Sequence, residues 1–130
     1  MINLIHQYVQ IWNSKEIDKL ATIFSKAAIY KDILQNGNSI EILSASINET
    51  HKAFPNISFE IISIIEDKEG EDLLLEWSMK GTNTGSFFGA EPTSKDIEIF
   101  GADVIKIKDK KIISIKSYYD SSQFTTQLGV

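Results

Sequence analysis

Trp77-Ser78-Met79-Lys80-Gly81-Thr82-Asn83-Thr84-Gly85 is the stretch on which the fold turns. Trp77 and Met79 alternate with Ser78 and Lys80, the period of a half-buried strand, and the run from Gly81 to Gly85 supplies turn chemistry. A loop carrying Phe87-Phe88-Gly89 and Pro92-Thr93 follows, and then Ile97, Ile99, Asp103, Ile105 and Ile107 share one strand parity. A tight turn at Asp109-Lys110 leads into a last strand, Ile112 to Asp120, ending in Tyr118-Tyr119-Asp120; Gln127-Leu128-Gly129 lies close behind. Carboxylates and aromatic rings thus stand on strands otherwise built to bury isoleucine. An acid among buried rings costs free energy unless it is partnered, and a small-molecule pocket is the reading that best accounts for it.

Upstream, Leu73, Leu75, Trp77 and Met79 line one face of the same strand, behind a charged turn from Glu66 to Glu71. Before that turn Ile57, Phe59 and Ile61 alternate with Ser58 and Glu60, and the doublets Ile61-Ile62 and Ile64-Ile65 predict a bulge or a strand covered on both faces. The period is helical before Pro55. Asn38 and Glu41 have capping-box spacing and open a helix through Leu43, Ile47 and Phe54, which Pro55 ends. Asn36-Gly37-Asn38 reads as a turn, and Ala27 to Ile33 as a short strand. Ile5, Tyr8, Val9 and Trp12 give a first amphipathic helix. Ser14 is placed to cap a second, burying Ile17, Leu20, Ala21 and Phe24. The order is helix, helix, strand, helix and a four-strand meander: an α+β fold with three N-terminal helices packed on a curved, mostly antiparallel sheet. If the strands curl around the third helix they form a cone with one concave apolar cavity.

The 130 residues make a single domain, long enough to bury a core without staples. Cysteine is absent, which excludes a disulfide framework, a thiol nucleophile and a Cys-ligated zinc site. His6 and His51 have no second ligand at metal spacing, so no metal is assigned. The net charge of -5 disfavours nucleic acid as a partner, and the lysines 106, 108, 110 and 111 read as a solvated turn. Neither a signal peptide nor a membrane span is visible, so a cytoplasmic location is expected. No Gly-x-Ser-x-Gly elbow occurs, and no Gly-rich loop leads from a strand into a helix.

Three segments carry a resemblance. The first joins Trp12-Asn13, Leu20, Phe24 and Ala28-Ile29-Tyr30-Lys31-Asp32. The second is Ala53-Phe54-Pro55-Asn56 ahead of a strand. The third joins Gly81-Thr82, Thr84-Gly85, Pro92-Thr93, Gly101-Ala102-Asp103-Val104, Tyr119-Asp120 and Gln127-Leu128-Gly129. In this order, over nearly the whole chain, they resemble the SnoaL-like polyketide cyclase (ester cyclase) family of the nuclear-transport-factor-2-like (NTF2-like) superfamily. The resemblance implies a cone-shaped α+β barrel, usually a homodimer, with the ligand inside the cone. It also implies an acidic residue as acid/base for an intramolecular aldol closure, without metal or cofactor. Family members often carry histidine where this chain has Lys31 and Asn83.

Asp120 is the leading acid/base candidate, sharing parity with Tyr118, Lys116 and Ile112 on the last strand; the competing reading is a strand-end aspartate that caps the following turn. Asp103 would assist it or orient a ligand, or else pair with a lysine at a subunit interface. Asn83 would donate a hydrogen bond to an enolate, or simply hold its turn. Trp12, Tyr30, Trp77, Met79 and Phe88 would wall the pocket, with Lys116 and Tyr118 contributing polar contacts. Asp32 follows Tyr30 in parity, as a residue of the mouth or of the surface. The function read from the sequence is a small-molecule pocket protein for an apolar or carbonyl-bearing ligand, working as a cofactor-free cyclase, isomerase or lyase. The missing histidines motivate the alternative, a ligand-binding or dimerisation module of the same fold. A hydratase or hydrolase that uses the carboxylate to activate water is a third option.

Overall fold

Helix α1 (Ile2–Ser14) forms where Ile5, Tyr8 and Val9 recur at helical spacing; these three and Ile11 are buried, and Trp12 is half-buried beside them. The computed structural model describes residues 2–130. The expected second helix is smaller than its pattern suggested. A 3-10 turn, Ile17–Lys19, runs into the single turn α2 (Leu20–Ile23), which buries Leu20 and Ile23 and leaves Ala21 exposed. Ser14 closes α1, and its Oγ accepts a hydrogen bond from the Glu16 amide. Phe24 already belongs to strand β1 (Phe24–Lys31), which starts before the expected Ala27.

Asn36–Asn38 is not a turn but strand β2, antiparallel to β1. The reversal lies one step earlier, where the Asp32 carboxylate accepts from the Leu34 and Gln35 amides at 2.8 and 2.9 Å. Asn38 caps α3 (Ser39–Ala53) as its spacing required. Its Oδ1 accepts from the Glu41 amide at 3.2 Å, and its Nδ2 donates to the Lys26 carbonyl. Helix α3 buries Leu43 and Ile47 and stops at Phe54, ahead of Pro55. Near its end His51 donates from Nε2 to the Trp12 carbonyl at 2.6 Å, tying α3 to α1.

The meander is β3 (Ser58–Glu66), β4 (Asp72–Thr82), β5 (Asp96–Lys108) and β6 (Lys111–Tyr119). With β1 and β2 it makes one mixed sheet in the order β2-β1-β6-β5-β4-β3, in which only the β1–β6 pair is parallel. The Ile61-Ile62 doublet is a bulge, as expected: the β3–β4 register shifts between Ile61 and Ser63. The curved sheet packs on α1 and α3. Its inner face carries Leu73, Leu75, Trp77 and Met79 from β4, with Ile97, Ile99, Ile105 and Ile107 from β5. Each such side chain contributes about 1.5–3 kcal/mol by leaving water.

A second bulge went unread in the sequence. Ile107 pairs with Ile112, but Lys106 pairs with Ser114, so Ile113 is an extra residue in β6. One inserted residue reverses the parity of everything beyond it. Ile112 faces inward, and after the bulge Ile115, Ser117 and Tyr119 do so in place of Lys116, Tyr118 and Asp120. A fourth helix, α4 (Ser122–Leu128), follows. Gln123 and Gln127 on it each accept an amide and return one to a carbonyl of β5, at Phe100 and Glu98 respectively. No helix among the described residues is long and apolar enough to cross a membrane.

Candidate functional site

Asp103 lies mid-strand on the inner face of β5, 3% exposed. The pairing of β4 with β5 sets Trp77 opposite Gly101, and the Trp77 Nε1–H donates to Asp103 Oδ1 at 3.0 Å. Glycine is required at 101 for space. A Cβ there would stand 2.3 Å from Trp77 Cζ2, so the indole lies across β5 and reaches Asp103 only because nothing projects beneath it. Across the other ladder Asp103 faces Ser117. Burial pushes the Asp103 carboxyl up to about 6, against the pull of the Ser117 hydroxyl and the Trp77 N–H, and the Asp32 charge adds to the rise.

Tyrosines surround this carboxyl. Tyr8 on α1, Tyr30 on β1 and Tyr119 on β6 all have hydroxyls raised above their ordinary range, in each case first by burial. The Asp103 charge adds to the rise in all three, with Asp32 contributing at Tyr30 and Tyr119. They are neutral hydrogen-bond donors at any ordinary pH. Tyr30 donates to Asp32 Oδ2 at 3.0 Å, so the carboxylate that shapes the β1–β2 reversal also orients a ring of the site. Asp32 is half-buried.

These groups open on a cavity of about 550 Å³ between the sheet, α1, α3 and α4, within the range of small-molecule sites. Its wall is a run of rings in contact: Trp12 to Phe59 at 4.8 Å between centroids, Phe59 to Trp77 at 5.6 Å, Trp77 to Tyr119 at 6.3 Å, and Tyr119 to Phe124 at 6.3 Å. Phe124 of α4 stacks on Phe87 of the β4–β5 loop at 5.5 Å, and Phe54 packs against both. The run closes one side of the hollow. Phe88, 80% exposed, stands at the rim.

Trp12, Tyr30, Trp77, Met79 and Phe88 line this cavity, as the sequence had suggested. Asp103 does too, and it makes no ion pair with any described residue of this chain. Asp120 does not reach the cavity. It is exposed, and its Oδ1 accepts from the Ser122 amide at 2.9 Å at the start of α4; the Ser122 hydroxyl, with that amide, holds its carboxyl below the usual range. Tyr118 and Lys116 point to the outer face for the same reason, the β6 bulge.

Asn83 is fully buried outside the cavity, with its amide wholly occupied. Nδ2 donates to the Ala53 and Gly85 carbonyls, and Oδ1 accepts from the amide and hydroxyl of Thr93. It holds the loop and has no donor free for a ligand. Tyr8, Ser117, Tyr119, Phe59 and Phe124 are wall residues that sequence reasoning missed. The doublet Ile112-Ile113 ahead of Ile115 was the available signal for Ser117 and Tyr119, since three isoleucines in four residues cannot alternate.

A curved α+β sheet closed over an aromatic cavity with one buried carboxyl defines a class of pocket protein, and the comparisons place the chain within it. The profile of the SnoaL-like polyketide cyclases matches residues 2–128, so the chain belongs to that family. Among solved structures, AclR from Streptomyces galilaeus, described as a candidate hydroxylase, superposes with a TM-score of 0.85 at 19% identity, over 98% of this chain and 79% of its own. IdmH from Streptomyces antibioticus, a candidate polyketide cyclase, does so with a TM-score of 0.85 at 18% identity, over 98% and 97%. A Catenulispora acidiphila protein with a ketosteroid isomerase-like fold, solved with trimethylamine, gives 0.80 at 19% identity, over 98% and 92%. At these identities the likeness is one of fold. No curated protein matches the sequence.

Proposed function

We propose that the chain is a cytoplasmic acid/base enzyme of the cyclase or isomerase type, acting on a carbonyl-bearing small molecule with Asp103 as its base. One observation supports this above the others: a carboxyl buried on the wall of a roomy cavity, among neutral hydroxyl donors. A cavity plugged by side chains would favour a scaffold; this one is open. With its carboxyl held near 6, Asp103 is ionised at neutral pH yet basic enough to take a proton from carbon beside a carbonyl.

In that step the C–H bond breaks, its electron pair moves onto the carbonyl oxygen, and the Tyr8 hydroxyl donates a hydrogen bond to the enolate formed. An isomerase returns the proton from Asp103 to another carbon. A cyclase lets the enolate carbon attack a second carbonyl of the same molecule, and the resulting alkoxide takes the proton. Positioned proton transfer of this kind is worth about 10² to 10⁴ in rate. The test is deuterium exchange at carbons beside the carbonyl of a panel of cyclic ketones, followed by NMR. Asp103→Asn is expected to abolish exchange while ketone binding persists; exchange unchanged in that variant removes Asp103 from the chemistry.

The partner proposed beyond the ligand is a second copy. The outer face of the sheet exposes Ile65, Phe100 and Tyr118 on the side away from the cavity, a patch of the kind that marks an interface. Light scattering on Phe100→Glu against the parent chain tests it: a dimer that persists unchanged places the contact elsewhere.

A further inference from the structure

The charges of the cavity have one sign. Its ionisable wall residues are Asp32, Glu49 and Asp103, together with Tyr8, Tyr30 and Tyr119; no lysine or histidine among the described residues lines it, and the chain has no arginine. Nor do the described residues supply a counter-charge to these acids. The three ion pairs among the described residues are Lys19–Glu16, Lys80–Glu98 and Lys106–Asp72, all exposed and all elsewhere. Asp103 has only neutral donors, the Trp77 N–H and the hydroxyl of Ser117 across the ladder. Asp32 likewise takes amide, carboxamide and phenol hydrogens. A carboxylate removed from water and left without a cation is expensive, so a cationic ligand would gain what the fold leaves unmade.

The rest of the wall has the same preference. Trp12, Phe59, Trp77, Tyr119 and Phe124 line it with aromatic rings, and a ring that turns its face to a ligand attracts a cation and repels an anion. Rings that serve only as apolar packing would pair as well with a lysine-bearing pocket, and this pocket has none. Carboxylates, phosphates and phosphate-bearing thioesters would enter against both the acids and the rings.

We infer that the cavity selects a ligand carrying a protonated or quaternary amine on an apolar, ring-sized body, with the cation held by the Asp103, Asp32 and Glu49 carboxylates and the aromatic wall. This rests on the pocket reading above and narrows its substrate class: the carbonyl compound that Asp103 works on also bears an amine.

The experiment uses three probes of one shape, (3-hydroxyphenyl)trimethylammonium, its carbon isostere 3-tert-butylphenol, and 3-hydroxybenzoate. Binding is titrated on the intact chain through the fluorescence of Trp12 and Trp77, both of which line the cavity. The cation should bind at least about tenfold more tightly than the isostere, the anion more weakly than either. Asp103→Asn and, independently, the exposed Glu49→Gln should each shrink the cation's advantage and leave 3-tert-butylphenol unchanged. Glu49→Gln keeps the test decisive if the buried variant folds poorly. Equal binding of cation and isostere overturns the charge selection alone and leaves the pocket standing. Failure of all three probes on a folded chain overturns the pocket reading and this inference with it.

Discussion

Replacing Asp103 by asparagine should make the protein more stable, and by an amount that grows with pH. The native carboxyl holds its proton up to about 6, against an ordinary 3.8, because burial penalises the charge. Between these values the folded chain keeps a proton that the unfolded chain has lost. Stability therefore falls as pH rises through that window, then stays at the lower level above it. At about 1.4 kcal/mol for each pH unit of the gap, the folded state gives up ~3 kcal/mol at neutral pH.

Asparagine keeps an acceptor for the Trp77 N–H and carries no charge, so the variant should recover most of that amount. For a chain of this length the gain corresponds to roughly 10 °C in melting temperature. The assay is urea unfolding followed by tryptophan fluorescence on both proteins at about pH 4 and about pH 8, read as the difference between them, in which titrating groups not coupled to Asp103 cancel. The expected difference is small at the acid end and ~3 kcal/mol in the variant's favour at the basic end. A difference that does not vary with pH, or a variant less stable at pH 8, refutes the claim that burial holds this carboxyl up.

Gly101→Ala should displace the Trp77 indole, cost about 1–3 kcal/mol through overpacking, and shift tryptophan emission, because the new methyl falls on the ring. Trp77→Phe removes the N–H that pulls the Asp103 carboxyl down, so a carbon-detected NMR titration of that carboxyl should move to higher pH. Asn83→Ala strips four hydrogen bonds from a buried loop anchor and should cost about 2–4 kcal/mol in urea unfolding, with unchanged affinity for cavity ligands. Asp120→Asn should leave ketone exchange intact, since its carboxylate serves only the start of α4.

The architecture was legible wherever it is written in local periods and caps. Asn38 with Glu41 marked the start of α3, Pro55 its end, and the change from helical to strand period the start of the meander. The odd-numbered face of β5, Asp103 included, was read correctly because that strand runs unbroken through its inner positions. Asp120 was expected on the inner face because parity was carried from Ile112 across a bulge that reverses it. The Gly101 notch was not readable at all. It arises from the register between β4 and β5, a non-local fact that no residue near Gly101 announces. Asn83 went to the loop for a physical reason also present in the sequence: Gly-Thr-Asn-Thr-Gly wants a side chain that bonds to its own turn.

The two glutamines of α4 have a geometric consequence. Four residues of helix advance about 6 Å, and two residues of strand about 6.6 Å. Gln123 and Gln127 thus imitate a neighbouring strand along the bare margin of β5, where β6 has already ended. Losing the tail would expose that margin to pairing with foreign chains, and it would strip Phe124 from the ligand's chamber in the same event. A contact that holds Phe124 in the cavity wall would therefore also keep that margin covered.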